Sequence, residues 1–319
     1  MLQQCEQFTA IFKTLPDNMI DNFLRWTQKT ATELLEGRNR VRYRNSDVMI
    51  RNIQDDLRDI LPIDCTVQDE HIRFPSSSQS QNSDSSRSTT IHVDSFIYDD
   101  EKLDELCELG KISRNYCQLC GSHQVSPLTF ISHSASLIQV KFIFEYILSD
   151  LRGKTVIDIG SRLGALLYGA YFYSSAERIV GVEISADWCR IQQQIIEKYK
   201  LSDRIEVLNS DVSLQSSLLS TGDVVIMNNV FEYFMPDEEQ KKMWMFLSQT
   251  VRKSGALIIT LPSIEESMKQ LQLQFPQNWL CQIDLDSKRE IISRELFPDE
   301  IDAIEDNQLH NVYLYEVLG

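Results

Sequence analysis

The sequence predicts an α/β fold: a doubly wound, mostly parallel seven-stranded sheet behind an N-terminal helical region. Three observations carry this. Between Lys154 and Pro262, short apolar runs rich in valine and isoleucine alternate with longer segments of helical spacing, the pattern of a parallel sheet with helices on both faces. The first run, in TVIDIGSRLGALLYGA (155–170), passes through a glycine turn straight into a helical segment, as the leading strand of such a sheet does. Two later runs, WLCQIDLD (279–286) and HNVYLYEVL (310–318), add strands at the C-terminal edge.

Taken in order, the chain begins with helices. Pro16 and Asp17 start one, and Ile20, Phe23, Leu24, Ala31, Leu34 and Leu35 share a face. It ends at Gly37, a natural C′ residue. Four arginines, 38, 40, 42 and 44, follow; they read as a solvated connection or as a phosphate or acidic-partner patch. A second helix spans 47–60 and stops before Pro62. PSSSQSQNSDSSRSTT (75–90) has no apolar residue to bury and reads as a disordered insert. DEKLDELCELGKI (100–112) and SLIQVKFIFEYILSDL (136–151) are helical, with Ser134 a candidate N-cap for the latter. Then come strand 154–159, helix 165–174, strand 178–184, helix 186–200, strand 204–209, a short helix near 214–219, strand 223–229, helix 237–253 and strand 255–261. The domain division read from this is 1–66 (helical), 67–98 (serine-rich insert or linker), 99–133 (helical, with a C-x-x-C) and 134–319 (the α/β domain).

The totals narrow the function. With 319 residues and 42% hydrophobic content, a large core can form. A formal charge of -16 makes the chain a poor non-specific polyanion binder. Seven cysteines scattered over the length are no disulfide framework. The first residues lack the pattern of a signal peptide, and no apolar run is long enough to span a membrane. A cytoplasmic or nuclear location is expected.

Ligands of an open parallel sheet sit at the carboxyl ends of its strands, and here those ends carry polar and acidic residues. The first ends in VIDIGSRLG: Asp158 at the tip, Gly160 and Gly164 shaping the turn around Ser161, and a helix N-terminus offering N–H groups. The second ends in Glu183, whose two oxygens suit the hydroxyls of a ribose. The third ends in Asp211, an acceptor for an exocyclic amine, with the Val212 N–H beside it. The fourth ends in NNVFEYF, placing Asn228, Asn229, Phe231 and Tyr233 over the same crevice. A nicotinamide dinucleotide would call for G-x-G-x-x-G, and the turn here is G-S-R-L-G.

From about Ser134 to Pro262 the chain resembles the class I, Rossmann-like S-adenosylmethionine-dependent methyltransferases. The resemblance implies S-adenosyl-L-methionine as cofactor. Asp158, Gly160, Ser161 and Gly164 would hold its methionine end, Glu183 the ribose, and Asp211 and Val212 the adenine. The fourth-strand segment, Asn228 to Tyr233, would face the transferred methyl group and the substrate. NNVFEYF is faintly similar to a segment of the non-SET histone lysine methyltransferases and equally to small-molecule methyltransferases. Arg162 stands where the family has its middle glycine. A side chain there strains the turn, points outward, or pairs with the methionine carboxylate.

Methyl transfer asks mainly for alignment. Asn228, Glu232 and Tyr233 are the candidate catalytic residues: Glu232 as the nearest base, Tyr233 as an orienting group or a cation–π partner of the sulfonium. Packing under the crevice rim is the competing reading of Phe231, Tyr233 and Phe234. His133 or Ser134 either lines the site or caps a helix. Cys117 and Cys120 are half of a zinc knuckle, a redox pair, or two thiols in a turn; no metal is assigned to them. The acceptor is a protein, RNA or small molecule, with a basic protein favoured over nucleic acid on charge, and no membrane is expected as a partner. The alternative is a methyltransferase-like binding or scaffold protein without activity.

Overall fold

The structure, a computed structural model, describes residues 45–70, 72, 90–117, 125–127, 129–148, 150–274, 276–296 and 307–319. The chain forms two compact units, 1–49 and 50–319. Of the first, only residues 45–49 are described, as the opening of helix α1 (45–60). The helix expected over 16–37, the four arginines and residues 75–89 of the serine-rich run lie outside the described residues.

Ahead of the main sheet come β1 (Thr90–His92), α2 (Asp100–Glu108), β2 (Asn115–Cys117), β3 (Val125–Pro127), β4 (Thr129–Ile131) and α3 (Leu137–Lys141). The helix expected over 136–151 is α-helical only in α3, and it continues as a π-helical segment, Phe142–Ile147. Its cap is Ser136, not Ser134: Ser136 and Gln139 form a capping box, which frees Ser134 to bond elsewhere.

The core of the unit is built by β5 (Thr155–Ile159), α4 (Ala165–Tyr173), β6 (Arg178–Glu183), α5 (Ala186–Tyr199), β7 (Ile205–Asn209), α6 (Ser216–Thr221), β8 (Val224–Asn228), α7 (Asp237–Thr250), β9 (Leu257–Leu261), α8 (Ile264–Gln270), β10 (Leu280–Ile283), α9 (Asp286–Leu296), α10 (Asn307–His310) and β11 (Tyr313–Val317). The seven strands β5 to β11 form one sheet in the order β10-β11-β9-β8-β5-β6-β7. All neighbours are parallel except β11, which runs antiparallel to both β9 and β10. The expected seven-stranded sheet is therefore present, with the last strand inserted inside the edge.

The central strands are buried on both faces, which is why they read as near-continuous valine and isoleucine. On one face Met243, Trp244 and Leu247 of α7 join Ile157, Val225 and Ile258 in a single cluster. Each side chain so buried stabilises the fold by roughly 1.5–3 kcal/mol. On the other face α4 is buried from Ala165 to Ala170, because α3 and the π-helical segment pack against it as well.

The domain division needs correction. Residues 50–319 are one unit, so no boundary falls at 134. The linker expected over 67–98 is packed at both described ends. Asp94, Phe96 and Ile97 are buried, β1 pairs in parallel with β4, and Asp69 and Glu70 bond to the first turns of the sheet. The polar run stops at Thr90, and IHVDSFIY beyond it supplies the apolar residues that dock. Among the described residues, no helix is long and apolar enough to cross a membrane.

Candidate active site

The chain leaves β5 for β6 and β7 on one side, then returns to β8 on the other. The loops after β5 and β8 thus diverge at the carboxyl edge, which opens a crevice there. A cavity of about 340 Å³ occupies it, and Gly160, Glu183, Asp211, Val212 and Asn228 line it as expected. Asp158, Ser161 and Gly164 do not.

The turn after β5 explains the difference. Gly160 has φ +72°, and a Cβ there would stand 3.2 Å from Val230 Cγ1. Gly164 has φ +93°, and a Cβ would strike the Tyr168 ring at 2.7 Å; its role is close packing. Ser161 turns inward and its hydroxyl donates to Gln192 Oε1 at 3.0 Å. Arg162 adopts φ +45°, the left-handed conformation that glycine takes without strain. Its N–H donates to Glu183 Oε2 at 2.8 Å.

The φ of Arg162 shows the strain expected of a side chain at this position, and the side chain does not point outward: it is buried, lines the cavity and turns to residues 65–94. Nε donates to Glu70 at 2.8 Å, Nη1 to Asp94 at 2.7 Å and Nη2 to the Cys65 carbonyl. The guanidinium also lies 4.7 Å over the Trp188 ring. All three nitrogens are engaged, so the charge is neutralised by Glu70 and Asp94, both of them buried. Asp94 in turn accepts from the Ser134 hydroxyl.

The three acids at the strand ends are held in different ways. Glu183 Oε1 accepts from the Ser185 N–H at 2.9 Å and Oε2 from Arg162, so each oxygen is positioned and keeps a lone pair. Burial pushes its carboxyl up, against those two N–H groups. Asp211 Oδ1 accepts from the Ser213 N–H and hydroxyl, capping a short turn and leaving Oδ2 for the cavity. Asp158 is buried, and makes no hydrogen bond among the described residues. Burial, then the Glu183 charge, push it well above the carboxylate range.

Asn228 lines a second space too, an open groove of about 1170 Å³ bordered by Arg51, Tyr98, Lys141, Asn229 and Tyr313. Its amide donates to the His133 carbonyl at 3.4 Å. Glu232 and Tyr233 are not brought to the cavity. Glu232 accepts from the Ser267 hydroxyl at 2.7 Å beside a separate void of about 20 Å³. Phe231 and Phe234 face the cavity instead, since the turn they occupy bonds Phe234 N–H to the Phe231 carbonyl and puts both on one side. Sequence reasoning missed Asp69, Glu70 and Trp188 on the wall; the two acids lie in a stretch that reads as linker, and no local signal marks them.

His133 does line the cavity. Its Nε2 lies 3.1 Å from His92 Nδ1. Burial first, then Arg162 and His92, lower its pKa to about 3. The folded value lies below the ordinary 6.5, so the stability it contributes is complete above pH 6.5 and is lost as pH falls towards 3. The slope reaches about 1.4 kcal/mol per pH unit. Urea unfolding from pH 7 to 4 is expected to show a shallower acid loss in His133→Asn than in the wild type; equal slopes would refute it. Cys120 and the Cys117 side chain lie outside the described residues, and among those described no group of three His, Cys, Asp or Glu is placed to hold a metal.

No protein-family model matches the chain, and no curated protein matches it. Solved structures do. An RNA methyltransferase from Salinibacter ruber, in complex with S-adenosyl-L-homocysteine, is 16% identical, over 56% of this chain and 89% of that one, at a TM-score of 0.35. A methyltransferase from Geobacter sulfurreducens is 13% identical over 57% and 77%, at 0.36. An rRNA methylase from Streptococcus thermophilus is 9% identical over 57% and 96%, also at 0.36. The fold stands on the strand order itself: six parallel strands about a β5 switch point, with one reversed strand inside the edge, are the class I methyltransferase fold.

Proposed function

We propose that the chain binds S-adenosyl-L-methionine in the 340 Å³ cavity and transfers its methyl group to an acceptor that reaches Asn228 from the open groove. The observation that carries this is the convergence of Glu183 and Asp211, from neighbouring strand ends, on one cavity that Gly160 also lines. The residues fit the cofactor. The volume suits a small-molecule site. Glu183 has acceptors for two ribose hydroxyls, and Asp211 Oδ2 suits the adenine amine. Asp158 stands behind the cavity wall and takes no part in this fit. Val230, Phe231, Phe234 and Met235 form an apolar wall that excludes water. When bound, the cofactor supplies a methyl group already activated on sulfur, so this chain's residues need only bind, align and keep water out.

The acceptor is proposed to be a basic polypeptide ahead of a nucleic acid, on the strength of the -16 charge. Calorimetric titration with S-adenosylmethionine and S-adenosylhomocysteine is the test, with micromolar binding expected. No binding at millimolar cofactor would leave a methyltransferase-like binding or scaffold protein.

A further inference from the structure

We propose that His133 Nδ1 is the hydrogen-bond acceptor that receives the N–H or O–H of the incoming methyl acceptor. This rests on the cofactor reading above and names one chemical property of the substrate: the nucleophilic atom, or its neighbour, carries a proton to donate.

The argument begins with the ring's two nitrogens. Nε2 faces His92 Nδ1 at 3.1 Å. Nδ1 is buried and has no hydrogen-bond partner among the described residues. With both imidazoles in the Nε2–H tautomer that histidine side chains ordinarily favour, His133 donates to His92 and its own Nδ1 is left as a lone pair. The low pKa keeps the ring neutral, and so an acceptor, throughout the physiological range. A buried nitrogen without a partner costs roughly 1–3 kcal/mol, and a ligand donor that reaches it recovers that cost.

Position says which ligand. His133 lies on the wall shared with Asn228, Val230 and Phe234, whereas Ser210, Asp211 and Ile184 line the cavity beside the second and third strand ends. The Asn228 amide holds the His133 carbonyl, and Asn228 borders both the cavity and the groove. The Tyr233 and Phe234 rings stand edge-on to His133 at 5.0 and 5.5 Å and shield it, so a donor enters by displacing one of them. The ring therefore stands where acceptor and methyl group meet, and it acts as a positioning group, with His92 fixing its orientation from behind.

The test needs no identified acceptor. Sinefungin carries an amine where S-adenosylmethionine carries its methyl group, so its amine occupies the acceptor's side; S-adenosylhomocysteine has nothing there. Calorimetry on the full chain compares both ligands. In His133→Leu, sinefungin affinity is expected to fall about tenfold with S-adenosylhomocysteine unchanged. In His133→Asn, whose Oδ1 falls near the position of Nδ1, sinefungin affinity is retained. Equal losses for both ligands in both variants, or no loss for either, overturn the inference. In ¹⁵N-histidine-labelled protein at pH 7, an unprotonated Nδ1 on His133 supports it and a protonated one overturns it. If the wild type binds neither ligand, the cofactor reading itself has failed, which is seen before any variant is made.

Discussion

Glu183→Ala is expected to weaken S-adenosylhomocysteine binding at least about 100-fold, since two charge-assisted hydrogen bonds of roughly 1.5–3 kcal/mol each are lost. The carboxylate is already aimed by the Ser185 and Arg162 N–H groups, so it loses little freedom on binding. The substitution also removes the partner of those two N–H groups and lowers the melting temperature. Glu183→Gln, which keeps one carbonyl oxygen, separates the two effects: it restores much of the stability and little of the affinity. The measurement is calorimetry alongside thermal unfolding with and without ligand. A folded Glu183→Ala that binds as the wild type does would remove the ribose role and with it the main support for the cofactor.

The second large effect is at Arg162. Removing its side chain leaves Glu70 and Asp94 buried without a counter-charge; their side chains are 5% and 1% exposed. Breaking a buried pair from one side costs about 3–5 kcal/mol, which lowers the melting temperature by roughly 6–20 °C in a unit of this size. Backbone conformation then orders the variants. At φ +45° glycine escapes a strain of about 1–2 kcal/mol that alanine keeps, so Arg162→Gly should melt above Arg162→Ala although it has the smaller side chain. Arg162→Lys keeps the charge but not the fork and should lie between wild type and glycine. Adding Asp94→Asn to Arg162→Ala recovers part of the loss. An Arg162→Ala that melts within 2 °C of the wild type would show that the cage holds nothing.

These two residues also show how far the sequence could be read. Glu183 was legible as a cavity residue because its place depends on one strand: an acid at the tip of a buried parallel run reaches the crevice whatever the rest of the chain does. Asn228, the last residue of β8, was legible as a cavity residue for the same reason, and Asp211 lines the cavity from the cap of the short turn just after β7. Glu232 and Tyr233 follow a strand rather than end it, and the turn that carries them decides their facing. It sends Glu232 to Ser267 and brings Phe231 and Phe234 to the cavity. Arg162 was visible as a departure, but its partners lie 92 and 68 residues away in the chain, and nothing near it names them.

By itself the sequence determined the alternation of strands and helices, the glycine turn and the acids at three strand tips, because each follows from local periodicity or a single backbone requirement. The tertiary structure alone decided the rest. It put β11 in reverse between β9 and β10, docked Asp69, Glu70 and Asp94 against the turns after β5 and β6, and set His133 beside Asn228. All of these are contacts between segments far apart in the chain, and which distant surfaces meet depends on packing that no local pattern encodes.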